Sequence, residues 1–370
     1  MLRCTKCTMP NTRPDVPFTD GVCQACLNHA DRQTIDWDAR REDLLRLLDR
    51  FHGECLVPSS GGKDSHFQVL KLRELGANVT TVTAMTCMPT EIGIANIQNL
   101  VRYASGIRVE PNREVRKKLN RLGLTMVGDI SWPEHVSIFT IPFRVARDNK
   151  KPLLFYGESP TNHYGGPAGT EQTNRLTARW RSEFGGFLGL RPADLVGVEG
   201  ITEDDMSPYV LPDDLEGIEA HFLGQYVPWD SFENAKIANQ AGMRQVLPTP
   251  ANWILGENLD NAQTGIHDYF MFRKYGYGRG CTQVSMALRG GHAGLTRERA
   301  LAWVKEYDGL VPWKYMDVGL FTILDHIGIS WEKFKEIAEQ FTNWDNVQKI
   351  APYEFNVQAK ESWVGMGRPN

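Results

Sequence analysis

Residues 54–65 read Glu-Cys-Leu-Val-Pro-Ser-Ser-Gly-Gly-Lys-Asp-Ser, and this stretch predicts the fold of the chain. A short apolar strand at residues 55–57 runs into two glycines, and Lys63, Asp64 and Ser65 then open a helix. Glycines let backbone N–H groups approach an anion closely, and a helix start adds about half a positive charge at the same point. The stretch therefore predicts a phosphate-binding loop between a strand and a helix.

The order of residues in this loop excludes two common phosphate-binding motifs. It has neither the G-x-x-x-x-G-K-[ST] spacing of the Walker loop nor the G-x-G-x-x-G of dinucleotide-binding folds. The segment Ser-Gly-Gly-Lys-Asp-Ser at residues 60–65 instead resembles the PP-loop, S-G-G-x-D-S. That resemblance implies an enzyme that splits ATP into AMP and pyrophosphate and adenylates a substrate oxygen. The alternative interpretation is a Gly-Gly turn before a surface helix.

Composition and charge set broad limits on the kind of protein. The chain has 370 residues, 41% hydrophobic and 23% charged, with a net charge of −4, which is ordinary for a globular protein and does not favour nucleic-acid binding. No apolar run approaches the roughly 18 residues of a membrane-spanning helix, and no secretory signal opens the sequence. We therefore expect a cytoplasmic protein with no membrane span and no nucleic-acid partner.

Four of the seven cysteines lie in the first 26 residues, as two Cys-x-x-Cys pairs: Cys4, Cys7, Cys23 and Cys26. Each pair can place two thiolates on one side of a tetrahedral ion. The surrounding segment is too small for a hydrophobic core of its own, so we predict a ribbon held by structural Zn²⁺. An iron–sulfur cluster and unligated thiols are the alternatives. Four thiolates leave no position for His29 or for a substrate.

Strand-like and helix-like segments alternate over residues 38–156. The predicted strands cover residues 55–57, 78–84, 107–110 and 153–156, and one intervening helix is expected to run as far as Gly106. This alternation predicts an α/β fold with a parallel sheet and helices on both faces. Ligands of such sheets bind at the carboxyl ends of the strands. We therefore expect one site that contains Ser60, Ala84, Met85, Gly157 and Glu158.

The pattern weakens beyond this region. Residues 161–230 predict an irregular, polar insertion, which is either solvated or used in binding. Residues 252–280 are again dense in polar and aromatic side chains, and a helical face carries Ile266 beside His267, which is either packed in the core or catalytic. In the Gly-Tyr-Gly-Arg-Gly turn at residues 276–280, Arg279 is a candidate to bind phosphate or carboxylate. The remaining C-terminal part is predicted to be helical.

The motifs as a set resemble the N-acetyl sugar amidotransferase family over nearly the whole chain. They are the cysteine quartet, the loop at residues 60–65, Gly-Glu at 157–158, Trp-Asp at 229–230, Glu-Asn-Leu-Asp-Asn at 257–261, Gly-Ile-His-Asp-Tyr-Phe at 265–270, Lys-Tyr-Gly-Tyr-Gly-Arg at 274–279 and Leu-Thr-Arg-Glu at 295–298. The resemblance implies synthesis of bacterial surface sugars, in which ATP and ammonia convert an acetamido group of a nucleotide-linked sugar into an acetamidino group. The lipopolysaccharide branch, acting on UDP-linked diacetamido-uronic acids, is the nearest, and a flagellin-glycan branch is the alternative.

The resemblance also implies a fold and a division of the chain. The fold is that of PP-loop ATPases (adenine nucleotide alpha hydrolase-like), with an N-terminal four-cysteine zinc ribbon and a mainly helical C-terminal part. The predicted domains are the ribbon at residues 1–32, the α/β domain at residues 33–230 with its insertion after about residue 160, and a C-terminal substrate and partner region at residues 231–370.

The implied chemistry assigns roles to individual residues. The backbone of Gly61, Gly62 and Ser65 holds pyrophosphate together with Lys63, which is expected to supply positive charge, and Asp64, which is expected to hold Mg²⁺ or orient the loop. Ala84 and Met85 are expected to border the adenine of ATP. Metal holding or proton transfer from ammonia falls to three acidic candidates: Glu158, Glu257 and Asp260. His267 and Arg279 are the candidates for substrate binding.

The source of ammonia is expected to lie outside the chain. The sequence begins Met1-Leu2, so it offers no N-terminal cysteine nucleophile, and none of Cys55, Cys87 and Cys281 sits in a G-x-C-x-G elbow. A separate glutaminase subunit is therefore predicted as a partner. Two rival interpretations are a PP-loop tRNA-thiolation enzyme with a zinc ribbon, and a non-enzymatic scaffold with a degenerate nucleotide fold.

Overall fold

The structure is a computed structural model that describes residues 2–14, 16–157, 165–166, 175–177 and 186–347. The chain opens with an antiparallel hairpin of β1 (Phe18–Thr19) and β2 (Val22–Cys23), followed by α1 (Gln24–Arg32). We call residues 2–32 the cysteine ribbon. Helix α2 (Trp37–Arg50) then leads into the central sheet, and the side chain of Asp36 caps its first turn.

The central sheet has five parallel strands: β3 (Glu54–Pro58), β4 (Asn78–Ala84), β5 (Ser105–Val109), β6 (Leu153–Tyr156) and β7 (Glu219–Phe222). Their order is β5-β4-β3-β6-β7. The chain builds outward from β3 to β5 and then returns to pair β6 with the other side of β3. The sheet therefore has its topological switch point between β3 and β6, which is where open α/β sheets bind ligands.

Helices cover both faces of this sheet. The connecting helices are α3 (Lys63–Glu74), α4 (Glu91–Leu100), α5 (Arg113–Val127), α6 (Trp132–Ile138) and α7 (Ile141–Asp148). Because side chains alternate along a strand, Cys55 and Val57 join a core with residues of α2 and α3, whereas Leu56 joins a second core with residues of α7. The predicted α/β architecture with a parallel sheet is confirmed.

Two predicted boundaries are wrong. The helix expected to run to Gly106 ends at Leu100, and Gly106 instead pairs with Thr81 inside β5. Strand β7 lies within the stretch predicted to be irregular. It is a short edge strand with alternating polar residues, and Glu219 at its start accepts ion pairs from Arg50 and Arg175 at 2.6 and 3.0 Å. Short, polar edge strands carry little hydrophobic signal.

The C-terminal part is mainly helical, as expected. A single helical turn, α8 (Glu203–Met206), precedes β7. The helices that follow β7 are α9 (Ser231–Gln240), α10 (Thr264–Tyr275), α11 (Arg279–Arg289), α12 (Arg297–Tyr307), α13 (Leu320–Ile327) and α14 (Trp331–Gln340). A small antiparallel hairpin of β8 (Lys314–Tyr315) and β9 (Val318–Gly319) lies between α12 and α13. Helix α10 contributes Ile266 and Phe270 to a core with α13 and α14. Within the described residues, no helix combines the length and apolar character needed to cross a membrane.

Candidate functional site

The loop between β3 and α3 presents the free N-terminus of a helix. Gly61 takes a left-handed conformation with φ of 77°, and its N–H donates to Ser59 Oγ at 3.1 Å. Gly62 is the N-cap of α3 and offers no side chain to accept from the first turn. The N–H groups of that turn therefore keep their partial positive charge for a ligand. This is the geometry of an anion cradle, at the switch point of the sheet.

Gly61 is also pressed against helix α4. A Cβ atom at this position would lie 2.7 Å from the backbone nitrogen of Ile97 and 2.8 Å from its Cγ1. Such separations are too short for any side chain, so only glycine fits. The close approach fixes the path of the loop beside α4.

We expect Gly61→Ala to destabilise the protein strongly. Alanine in the left-handed region costs roughly 1–2 kcal/mol, and the overpacking against Ile97 adds about 1–3 kcal/mol. Gly76→Ala is the matched control, because Gly76 has a similar φ of 87° but no atom within 4 Å of a Cβ. Denaturant unfolding of both variants separates the two costs. Equal losses of unfolding free energy would contradict the steric contact.

Lys63 lies buried between two carboxylates. Its side chain is 3% exposed, and its Nζ lies 2.5 Å from Asp64 Oδ2 and 2.9 Å from Glu257 Oε2. Burial alone would lower the pKa of Lys63, but the two carboxylates raise that pKa above its ordinary value. Lys63 is therefore a permanent cation at neutral pH, held at the first residue of α3.

Asp64 is held from a second direction by helix α9. Its Oδ1 accepts a hydrogen bond from Asn234 Nδ2 at 2.8 Å. Burial raises the pKa of Asp64 even though Lys63 and Asn234 favour its charged form. One lysine and two carboxylates together leave a net negative charge in the pocket. Carboxylate oxygens of this kind are the ligands that Mg²⁺ prefers, so Asp64 and Glu257 are the residues that would hold it.

The segment that carries Glu257 and Asp260 packs against the loop that follows β4. Thr90 N–H donates to the backbone oxygen of Asp260 at 3.2 Å, and Ala262 N–H donates to Met88 O at 3.0 Å. A Cβ on Gly93, in the first turn of α4, would lie 2.6 Å from Asp260 Cα. Asp260 is thus fixed beside the carboxyl end of β4, where Ala84 and Met85 lie.

The carboxyl group of Asp260 is suited to proton transfer near neutral pH. Burial raises its pKa from 3.8 to about 6. A general base works best when its pKa lies close to the working pH. The packing contacts described above use the backbone of Asp260, so its side chain is available for substitution without loss of those contacts.

We expect Asp260→Asn to stabilise the protein at pH 7.5 but not at pH 4. Because the pKa of Asp260 is raised in the folded protein, folding favours its protonated form. Its contribution to the free energy of unfolding is therefore fully present below about pH 4 and is lost as the pH rises through 6. The full shift corresponds to at most about 3 kcal/mol, and partial exposure of the residue reduces the expected gain to about 1 kcal/mol. Asp317→Asn, at an exposed carboxylate, is the control. Urea unfolding at both pH values measures the free energy of unfolding of each variant. A gain in this free energy that is the same at both pH values would contradict the prediction.

Gly157 lies across the switch point, directly after β6. A Cβ at this position would lie 2.6 Å from Gln68 Nε2 and 3.2 Å from the ring of Trp229. The Gln68 side chain comes from α3, and its Oε1 is buried without a hydrogen-bond partner. Gly157 and the loop residues therefore border the same crevice. Glu158, the next candidate, lies outside the described residues.

Arg279 opens helix α11 and lines a separate small pocket with Asp268 and Asp308. Its guanidinium pairs with Asp268, with Nη2 2.9 Å and Nε 3.2 Å from Oδ1. Burial disfavours its charge, but Asp268 and, further away, Glu257 raise its pKa above the ordinary value. In this structure the Arg279 guanidinium pairs with Asp268, which is a carboxylate of the protein itself.

The glycine-rich turn before Arg279 also binds an internal anion. Gly278 N–H donates to Asp308 Oδ2 at 2.7 Å. Burial raises the pKa of Asp308 to about 6, although hydrogen bonds from the backbone of Gly278 and Cys281 oppose that rise. The sequence indicated an anion-binding turn at residues 276–280, and the structure fills it with a carboxylate from the end of α12.

His267 contacts a group that the sequence analysis missed. Its Nδ1 lies 2.8 Å from Oδ1 of Asp129, and its ring packs edge-on against His135 with centroids 4.9 Å apart. Asp129 and His135 come from the end of α5 and from α6, far away in sequence. Asn234 and Gln68 were missed for the same reason, since each is an unremarkable polar residue of a helix. Only proximity in the fold reveals them.

The four cysteines of the ribbon come together as predicted. The Sγ atoms of Cys4 and Cys26 are 3.8 Å apart, and those of Cys7 and Cys23 are 3.6 Å apart. These distances exclude a disulfide, whose sulfurs are about 2.05 Å apart. A tetrahedral Zn²⁺ with bonds of about 2.3 Å would separate its sulfurs by roughly 3.8 Å. The cluster can therefore bind a metal ion such as zinc.

The ribbon docks onto the C-terminal helices. Thr8 Oγ1 lies 2.7 Å from Ser285 Oγ on α11, and Arg297 Nε donates to the backbone oxygens of Cys4 and Cys7, both at 3.1 Å. The cysteines share a hydrophobic cluster with Trp303 and other residues of α11 and α12. The ribbon therefore shares its core with residues almost 300 positions away.

One segment of the C-terminal part is similar to a known family of lipopolysaccharide biosynthesis proteins. Residues 243–357 match the family model described as "LPS biosynthesis protein WbpG-like, C-terminal domain". The matched segment contains Glu257, Asp260, His267 and Arg279, which are four of the predicted site residues. A search of curated proteins found no match. The match shows what this C-terminal segment is similar to and leaves the larger, N-terminal part of the chain without a family match.

Proposed function

We propose that the chain is an ATP-dependent amidotransferase that converts the acetamido group of a nucleotide-linked sugar into an acetamidino group. The observation that carries this proposal is the position of Lys63. A buried permanent cation opens a helix with an uncapped N-terminus, in a glycine loop at the switch point of a parallel sheet. This arrangement suits the pyrophosphate end of ATP. The family match of the C-terminal segment supports a place in lipopolysaccharide synthesis.

The chemistry requires activation because an amide carbonyl resists attack by ammonia. Its resonance is the same one that gives a peptide bond a rotation barrier of about 18–20 kcal/mol. In the first step the acetamido oxygen attacks the α-phosphorus of ATP and pyrophosphate leaves. In the second step ammonia attacks the imidate carbon, loses a proton, and AMP leaves with the former carbonyl oxygen. The products are an amidine, AMP and pyrophosphate.

The described residues suit both steps. Lys63 and the first-turn N–H groups of α3 stabilise negative charge on the leaving pyrophosphate. This electrostatic interaction is strong because the site is buried. Asp260, whose pKa burial raises to about 6, is the carboxylate whose pKa is best matched to accept the proton from ammonia. Glu257 positions Lys63 through their contact at 2.9 Å. Arg279 and His267 remain candidates for the sugar or its diphosphate.

The state of the other cysteines supports an external source of ammonia. Burial raises the pKa of Cys55 and Cys281 to about 12. Cys87 lies 3.2 Å from His326 Nε2, but burial raises its pKa to about 11. All three are neutral thiols at pH 7 and therefore poor nucleophiles for glutamine hydrolysis. We propose a separate glutaminase subunit as the partner that delivers ammonia.

The test is mass spectrometry of the full chain incubated with ATP, Mg²⁺, an ammonium salt and a UDP-linked diacetamido-uronic acid. We expect AMP rather than ADP, and a sugar product in which NH replaces one oxygen. If the acetamido oxygen carries a heavy isotope, the label should appear in the phosphate of AMP. Labelled AMP distinguishes adenylation of the amide from simple ATP hydrolysis.

The other outcomes each point elsewhere. AMP release with a different acetamido sugar would keep the reaction and change the substrate. AMP formation that requires tRNA and a sulfur donor would favour the thiolation enzyme, and its binding would weaken steeply with salt. No AMP under any of these conditions would overturn the proposal.

A further inference from the structure

A second group of side chains, separate from the loop and from the four cysteines, has the donor set of a metal centre. Asp129 lies between α5 and α6, His135 lies on α6, and His267 lies on α10. One ligand atom from each lies within 4.8 Å of the other two. Two imidazoles and one carboxylate form a common set of ligands for divalent transition metals.

The distances within this group are those of ligands around an ion. Asp129 Oδ1 is 2.8 Å from His267 Nδ1, and Asp129 Oδ2 is 3.3 Å from His135 Nδ1. Bonds of about 2.0–2.2 Å to one ion separate neighbouring ligands by roughly 2.8–3.1 Å at octahedral angles and roughly 3.3–3.6 Å at tetrahedral angles. A well-aligned hydrogen bond explains the first distance, whereas the buried His135 Nδ1 faces Asp129 Oδ2 as an ion pair without the geometry of a regular hydrogen bond. That nitrogen is placed as a ligand.

The three side chains are held in a rigid frame. Asp129 Oδ1 also accepts from Ser131 N–H at 2.9 Å, and Asp129 N–H donates to Gly123 O at 3.0 Å. Asp129 is 3% exposed. His135 packs closely against Gly186, because a Cβ atom added to Gly186 would lie 2.7 Å from the Cβ of His135. Outer contacts of this kind orient metal ligands before the ion binds.

The two neighbouring cations each have a partner outside the group. Arg279 pairs with Asp268, and Lys274 Nζ donates to the backbone oxygen of Val127 at 3.3 Å. We propose that Asp129, His135 and His267 bind one divalent transition-metal ion of the zinc, iron or manganese class. Three protein ligands leave coordination positions open to water or a substrate oxygen, unlike the closed set of four cysteines. This proposal does not depend on the proposed reaction.

The test is the metal content of the purified full-length protein, measured by plasma mass spectrometry for all first-row transition metals. We expect His135→Gln, His267→Gln and Asp129→Asn each to carry one ion fewer per chain than wild type. The matched control is His292→Gln, because His292 also contacts a carboxylate, Asp230 Oδ2 at 2.8 Å, but belongs to none of the groups of potential metal ligands within the described residues. Wild-type metal content in the control shows that the loss is specific to the group.

Two results would overturn the proposal. One is unchanged metal content in all three variants while circular dichroism shows them folded. The other is the absence of a bound metal ion at these three side chains in wild-type crystals grown with the metal. An anomalous scattering peak bonded to the three side chains supports the centre even if the variants misfold. Side chains joined only by hydrogen bonds, with no peak, contradict it.

Discussion

Lys63→Ala is expected to lower the rate of AMP formation by at least about a hundred- to thousandfold, which is the usual effect of removing one preorganised charge or donor. The lysine is buried between Asp64 and Glu257, at the start of α3. The attraction of this cation for a departing pyrophosphate is weakly screened in such a site. Alanine leaves the helix N-terminus in place but removes the one full positive charge that the loop itself carries.

The same substitution should make stability more dependent on pH. Without Lys63, the buried carboxylate of Glu257 and the partly exposed carboxylate of Asp64 lose their shared cation, and the cost stays below the roughly 3–5 kcal/mol of a fully buried unpaired charge. Protonation relieves this cost, and the pKa of Asp64 is already raised by burial. The variant should therefore lose more stability at pH 8 than at pH 5. Chemical unfolding at the two pH values measures this difference.

Lys71→Ala is the matched control, because Lys71 lies on the same helix and forms an exposed pair with Glu74. It should keep AMP formation and lose less than about 1 kcal/mol of stability. AMP is measured by chromatography after incubation with ATP, Mg²⁺ and the sugar. A folded Lys63→Ala variant with wild-type AMP formation would remove the lysine from the mechanism and with it the main support for the proposed function.

Cys23→Ser is expected to lose the metal of the ribbon and most of the soluble protein. Binding of structural Zn²⁺ contributes about 10–16 kcal/mol, and in small metal domains this binding energy is also folding energy. The effect should reach beyond the ribbon, because Cys23 belongs to the same hydrophobic cluster as Trp303 and Val304 of α12. Zinc content and the yield of soluble protein are the measurements.

The control is Cys87→Ser, a buried cysteine outside the quartet, where the thiol contacts His326. This variant should retain zinc and remain soluble. A stable, metal-free Cys23→Ser protein would refute the structural role of the metal. A variant that is soluble but retains zinc would show that three thiolates and one other ligand suffice.

The sequence predicted those parts of the fold that depend on local pattern. The strand, the two glycines and the helix that opens at Lys63 follow from apolar runs and backbone freedom, and strand β4 matches its predicted residues 78–84. Parallel pairing then places the strand ends at one edge. The spacing of the cysteines is equally local, and the structure brings all four together.

The sequence could not predict contacts that depend on how distant helices pack. Glu257 was a candidate because of its motif, but its pairing with Lys63 requires the C-terminal segment to fold back over the loop. Asn234 and the pair of Asp129 with His135 carry no periodic or spacing signal at all. Strand β7 was hidden because its alternating polar residues satisfy ion pairs at a sheet edge rather than a core.

The docking of the cysteine ribbon onto α11 and α12 has a consequence for how the protein is made. Cys4 and Cys7 leave the ribosome early, but Arg297, which donates to their backbone oxygens, is added 290 residues after Cys7. At a synthesis rate of about 5–20 residues per second, the four thiols remain unprotected by α11 and α12 for some tens of seconds. During that interval, early capture of a metal ion would protect the nascent chain from oxidation and mispairing.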